Sequence, residues 1–277
     1  LLPGVADYLR GVPVSFTGTY CGSSFFELLQ CDYEYLLPRF SAELGAHADS
    51  LPHGTTVLAF RFAEGVVVAG GRLATEGHRG ASRGIEKVFA TDPYSLMAIS
   101  GAAGPSIEMA RVLSVELEHY EKIEGEALVL EGKANKLSQM IRQNLPAAMQ
   151  GLVVVPLFAG FDTRRGVGRL WKFDITGGRY EEAHFEATGS GGLYARESLK
   201  QDWKPDLDRA GAVRAAVRAL TAAAEEDRAT GGVDLARRIF PIIKMGTEDG
   251  ITDASEEEIE ATYRDLLERR TAGGSSS

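Results

Sequence analysis

The chain has 277 residues, 44% of them hydrophobic and 25% charged, an ordinary globular composition with material for one large core or two small ones. A net charge of −9 excludes a general nucleic-acid binder, which needs a basic surface to displace counterions from phosphate. No apolar run approaches the roughly 20 residues that span a bilayer, no basic stretch precedes an apolar one at the start as in a secretory signal, and Cys21 and Cys31 are too few for a disulfide framework and fit reduced cytosolic thiols.

Residues 1–54 differ in texture from the rest. They hold eight of the 23 aromatic residues and six acidic side chains against two basic ones. A disordered leader is poor in apolar surface, so this aromatic segment reads as one that docks on something. The stretch 49–54 then reads as an exposed loop punctuated by Pro52 and Gly54. β-rich patterning predicts strands over 55–62, 65–70, 87–91 and 95–100. A helix follows over 105–122, with Met109, Leu113, Leu117 and Tyr120 on one stripe. A second helix fits 133–150, with Pro146 bending it or ending it early. Strands resume over 152–161, 169–175 and 180–187. A helix fits 208–227 with Val213, Val217 and Leu220 on one face, and a strand fits 239–245. Ser255 followed by Glu258 is a capping-box signature for a final helix over 255–269. The tail 271–277 is small and polar and is expected to be disordered. Sheets covered by amphipathic helices follow from this order, and pattern alone leaves the topology open.

The five histidines (His47, His53, His78, His119 and His184) show no metal spacing, and no Gly-x-Ser-x-Gly elbow occurs. Gly189-Ser190-Gly191-Gly192 resembles a dinucleotide fingerprint, but Tyr194 stands where its third glycine belongs, so a turn at a helix start is the reading there. Gly54-Thr55-Thr56 is open to two readings. One is a loop entering a strand. The other is a masked nucleophile. A threonine hydroxyl needs an adjacent base, and a Thr55 made N-terminal by cleavage after Gly54 would carry one, its own α-amine, with a free pKa of about 8. A lysine nearby would keep that amine neutral, because like charges disfavour each other's ionised forms. Lys87 is the candidate, although a strand lysine is commonly a solvated edge residue. Ser100-Gly101-Ala102-Ala103-Gly104 ends a strand with small residues that leave backbone N–H groups accessible to an oxyanion. Its plain alternative is a tight strand–helix connection.

Taken in order and spacing, Thr55-Thr-Val-Leu-Ala-Phe, Glu86-Lys87-Val88, the Ser100-Gly101 stretch, Gly189-Ser190-Gly191 and Asp227-Arg-Ala-Thr230-Gly-Gly resemble the 20S proteasome β-type subunit. The segments 117–125 and 147–151 are similar to its actinobacterial branch, and the resemblance spans 55 to about 245. It implies an α+β N-terminal-nucleophile hydrolase fold, an αββα sandwich of two antiparallel sheets between helix layers. It implies a propeptide over 1–54 removed by self-cleavage at Gly54–Thr55, and a proteasome β domain over 55–270. Thr55 matches the nucleophile, Lys87 the lysine tuning its amine, and Gly101 the oxyanion donor. Ser190, Asp227 and Thr230 match the groups that orient the threonine. Thr75 and Gly101 match main-chain partners of an extended substrate peptide. Ala74, Ile85, Phe89, Ile99 and Ala103 match the first specificity pocket, and their apolar character implies cleavage after apolar residues. Implied partners are identical β subunits in a seven-membered ring, α subunits between which and the β ring the leader would sit during assembly, and a ring ATPase delivering tagged proteins. A cytoplasmic location and no metal or other cofactor are implied as well.

The chain departs from the family pattern Gly-Asp-Arg-Arg-x-Thr, reading Gly70-Gly71-Arg72-Leu73-Ala74-Thr75. Gly71 stands where the family keeps an aspartate beside the lysine, so a weak or silent structural β subunit is the second expectation. A small-molecule amidase of the same fold class is the third.

Overall fold

A computed structural model describes residues 56–72, 74–76, 79–82, 86–227 and 229–274, with backbone alone over 74–76, 79–82 and 272–274. The aromatic leader, with Cys21 and Cys31, and the final three residues lie outside the described residues.

The central strands are runs that are apolar on both faces. β1 (Thr56–Phe62) and β2 (Gly65–Gly70) pair antiparallel through a two-residue turn, and the sheet is completed as β10-β1-β2-β11-β12 by β10 (Phe185–Gly189), β11 (Ile242–Thr247) and β12 (Gly250–Asp253). β5 (Val88–Asp92), β6 (Ser95–Ala98), β7 (Leu157–Asp162), β8 (Val167–Phe173) and β9 (Arg179–Glu182) form a second antiparallel sheet in sequence order. β3 (Ala74–Glu76) and β4 (Arg79–Ser82) make a small separate hairpin.

Side chains alternate across a strand, and here both sides are buried. Val57 and Ala59 of β1, with Val66 and Val68 of β2, meet Val88, Leu96, Ala98, Leu157, Ala159 and Leu170 between the two sheets. Leu58, Phe60 and Phe62 face the other way, onto α4 (Gly192–Asp202) and α5 (Arg209–Glu226). On the second sheet Met97, Phe158, Trp171 and Phe173 face α1 (Ala103–Glu124) and α2 (Leu130–Gln143). The result is the expected αββα sandwich, and double-sided burial explains why its central strands read as near-continuous apolar runs.

Helix ends follow local chemistry. Asp208 caps α5 by accepting the Gly211 N–H at 2.8 Å. Ser255 Oγ accepts the Glu258 N–H at 3.2 Å at the start of α6 (Glu256–Gly274). The Glu258 carboxylate meets Arg209 at 3.1 Å. The second predicted helix stops at Gln143, and Pro146 sits in the first turn of a separate short helix, α3 (Leu145–Ala148). There its missing N–H costs no helical hydrogen bond.

Several expectations are corrected. The strand predicted over 180–187 is two strands, β9 and β10, in different sheets, because the chain bends at Ala183–His184 and crosses from one sheet to the other. The strand predicted from 152 begins at Leu157. Tyr120 leaves the α1 stripe and is 37% exposed. Residues 271–274 of the predicted tail continue α6.

Candidate active site

A cluster of polar groups is built where β1 begins. Thr56 is fully buried. Its main chain pairs with Gly189 of β10, and its carbonyl accepts the Gly71 N–H at 3.2 Å. Its Oγ1 accepts the Gly191 N–H at 2.9 Å and lies 2.5 Å from Thr230 Oγ1. Thr230 Oγ1 donates to Asp227 Oδ2 at 2.6 Å, and Ser190 Oγ donates to the same oxygen at 2.5 Å. The Ala229 N–H reaches Asp227 Oδ1 at 3.0 Å. Three segments thus meet in one hydrogen-bonded set that ends on a carboxylate: the start of β1, which reaches it through Thr230, the turn from β10 into α4, and the loop after α5, which α5 ends by placing Asp227 at its C-cap.

Asp227 sits in a partly buried place, and burial pushes its carboxyl up. The hydroxyls of Ser190 and Thr230 and the backbone N–H groups outweigh this and hold it below the ordinary aspartate value. Lys87, on the segment entering β5, is 2% exposed. Burial pulls its ammonium down from 10.5 to about 8, against the attraction of the Asp227 carboxylate. The Lys87 carbonyl accepts the Ile99 N–H at 2.9 Å, which ties this lysine to the end of the neighbouring strand two residues before Gly101. The site therefore offers an anion, a lysine that gives up its proton far more readily than a free one and an ordered set of hydroxyls. Such a collection of perturbed titrations is what an acid–base site needs.

Gly101 has φ +98° and bridges to Val154, and a Cβ there would lie 2.1 Å from the Val153 carbonyl oxygen, so only glycine fits. Gly191 is also closely enclosed, by side chains: a Cβ would sit 2.7 Å from both Thr56 Oγ1 and Thr230 Oγ1. Gly71 is less so. A Cβ would meet the Gly231 carbonyl oxygen at 3.2 Å and Thr230 Cγ2 at 4.0 Å, which puts position 71 against the loop carrying the site.

Of the residues singled out in the sequence, Lys87, Ser190, Asp227 and Thr230 are brought together here. Gly54, Thr55 and Ile85 lie outside the described residues. Ala74 and Thr75 lie on β3, with Thr75 opposite Gly80 of β4. Phe89 packs half-buried against the α1–α2 core, Ile99 is buried within that core at 3% exposure, and Ala103 opens α1 half-buried. The group the sequence reading missed is Thr56. The signal was present, because 56, 58, 60 and 62 share a face of β1 and only position 56 is polar.

A four-layer αββα sandwich of two antiparallel sheets, with this cluster at the head of its first strand, defines the class of N-terminal-nucleophile hydrolase folds. A family profile described as Proteasome subunit matches residues 51–236. "Proteasome subunit beta" of Acidimicrobium ferrooxidans is 54% identical over 91% of this chain and 92% of its own length. Proteins of the same name from Stackebrandtia nassauensis (46% identity, 97% and 98% coverage) and Streptomyces griseus (47%, 94% and 92%) are also similar. The chain belongs to the proteasome subunit family, among its beta-type members. Among the described residues no helix is long and apolar enough to cross a membrane.

Proposed function

We propose that the chain is a threonine-type endopeptidase subunit of a 20S proteasome core, degrading unfolded or tagged proteins, with Thr55 as the nucleophile released by self-cleavage after Gly54. The observation that carries this reading is the bonded set Thr56–Thr230–Asp227–Ser190, with Lys87 attracted by the Asp227 carboxylate, because it contains Thr56, the residue immediately after Thr55. In this reading the Thr55 α-amine takes the hydroxyl proton and Lys87 keeps that amine from being protonated. The Gly101 N–H receives the oxyanion. Phe89 and Ala103, with Ala74, Ile85 and Ile99, supply an apolar first pocket, and Thr75 pairs with the substrate main chain. Residues 1–54 serve as the propeptide. Identical β neighbours in a seven-membered ring, an α-type ring and a ring ATPase in the cytoplasm complete the proposed setting. Exposed Val115 and Ile123 on α1 support such an assembly surface.

Intact mass of the assembled particle is the test, together with peptidase assays of Thr55→Ala. The expected result is a β chain starting at Thr55 and no hydrolysis by the variant. A fully assembled particle whose β chains retain residues 1–54 would overturn the reading.

A second reading, a structural subunit of low activity, is favoured by Gly71. The space beside Gly231 and Thr230 accepts a Cβ with a shift of a few tenths of an ångström. Gly71→Asp would add a second carboxylate to the lysine's surroundings at small steric cost. A gain of about tenfold or more in self-cleavage and peptidase rate, the scale on which loss of preorganisation acts, supports this second reading. An unchanged rate rejects it.

A further inference from the structure

We infer that Thr56 is a positioning residue of this site, and that its hydroxyl locks three separate chain segments into the arrangement the neighbouring Thr55 requires. This deepens the peptidase reading and rests on it for the identity of Thr55 alone.

Proton counting fixes the direction of every bond. The Asp227 carboxylate has no proton to give, so the single hydroxyl proton of Thr230 goes to Asp227 Oδ2. Thr230 Oγ1 is then an acceptor towards Thr56, and the Thr56 hydroxyl must be the donor in the 2.5 Å contact between them. Thr56 Oγ1 in turn accepts the proton of the Gly191 N–H. The chain runs one way: Gly191 N–H to Thr56, Thr56 to Thr230, Thr230 to Asp227. Ser190, adjacent to Gly191, donates to the same Asp227 oxygen and closes the circuit.

The hydroxyl of Thr56 is the only group in this circuit that belongs to β1. Its backbone is held on both edges, by Gly189 of β10 and by the Gly71 N–H. Its side chain adds the third and fourth constraints. Consecutive Cα atoms are about 3.8 Å apart, so any movement of Thr56 is passed directly to residue 55. Gly191 supports the same reading: a Cβ added there would lie only 2.7 Å from both hydroxyl oxygens and would push the Thr56–Thr230 pair out of place. Valine at 56 would keep the shape but leave the Gly191 N–H and the second lone pair of Thr230 buried and unsatisfied. The turn and the loop would then be free to relax apart.

The test compares Thr56→Val and Thr56→Ser in the assembled particle. For Val we expect kcat to fall about 10- to 100-fold, the effect of misplacing reacting groups by up to about 1 Å, with KM within about twofold because Thr56 is fully buried and has no surface to offer a substrate. Serine, which restores the hydroxyl, should recover most of the rate. Hydrogen exchange of the peptide containing Gly191 supplies a readout independent of activity, and its amide should exchange about tenfold faster or more in the Val variant. Val and Ser variants with equal rates, or a Val variant as active as the parent, would overturn the inference. If the parent shows no Thr55-dependent hydrolysis, the peptidase reading fails and exchange at Gly191 alone decides: unchanged protection in Thr56→Val rejects the positioning role. Thr56→Ala, which adds no bulk, replaces Val should the latter fail to fold.

Discussion

Lys87 carries an energetic conflict between burial and charge. A lysine ammonium taken out of water is penalised, and here burial lowers its pKa to about 8 although the Asp227 carboxylate attracts it. The ordinary value is 10.5. Below pH 8 the side chain is charged in both the folded and the unfolded chain, and the folded state bears the whole penalty. Between pH 8 and 10.5 the unfolded chain binds the proton that the folded chain has released, so stability rises with pH through this window. Above it the lysine is neutral in both states and the penalty is gone. At about 1.4 kcal/mol per pH unit the gap corresponds to a cost on the order of 3 kcal/mol at pH 7. Lys87→Met should therefore stabilise the unassembled chain by about 2–3 kcal/mol at pH 7, with the advantage shrinking towards pH 10, while peptidase activity is lost. Urea unfolding of both chains across that pH range measures it. A Met variant less stable than the parent at pH 7 would show that Lys87 contributes net stability and is not held there at a cost. The sequence could not reveal this conflict. Lys87 stands in an apolar stretch that reads equally as an edge strand, and only the packing of β5 against its neighbours removes the ammonium from water.

Elements were legible where one physical signal dominated. β1 and β2 are apolar on both faces, α5 has its Val213-Val217-Leu220 face, and Pro146 ends the predicted second helix early; each was readable from residue order. What failed was partner choice. β9 and β10 are separated by two residues yet pair with β8 and β1 in different sheets. No local pattern distinguishes one strand with a bend from two strands, because the switch is decided by sheet packing. β12 was missed because its four residues make only an edge pairing with β11. At the site the outcome was similar. Lys87, Ser190, Asp227 and Thr230 are separated by up to 143 positions (230 − 87), and only the ordered resemblance joined them before the structure did. Thr56 escaped notice since attention fell on its neighbour. A lone hydroxyl on the helix-facing side of β1 is a local exception that the strand period exposes.

At the scale of the whole molecule, the sandwich leaves one face of α1 without a partner among the described residues. Met109, Leu113 and Leu117 turn into the core, while Val112, Val115 and Ile123 share the opposite side and are 40%, 65% and 65% exposed. Residues at this spacing lie along one side of a helix, and His119 falls on the same row. In the proposed assembly, this row of aliphatic side chains on a long helix is the surface a neighbouring subunit covers. Replacing Val115 and Ile123 by glutamate should leave the fold intact, since exposed positions change stability by only about 0.5 kcal/mol. The same pair of charges buried in a subunit contact has no partner supplied and is strongly unfavourable. Circular dichroism of the unassembled chain should therefore match the parent, while native mass measurement with the partner subunits should show particles lost in favour of free chains. A double variant that assembles to full-size particles in normal yield would mean that this row faces solvent in the ring and that the contacts lie on another face.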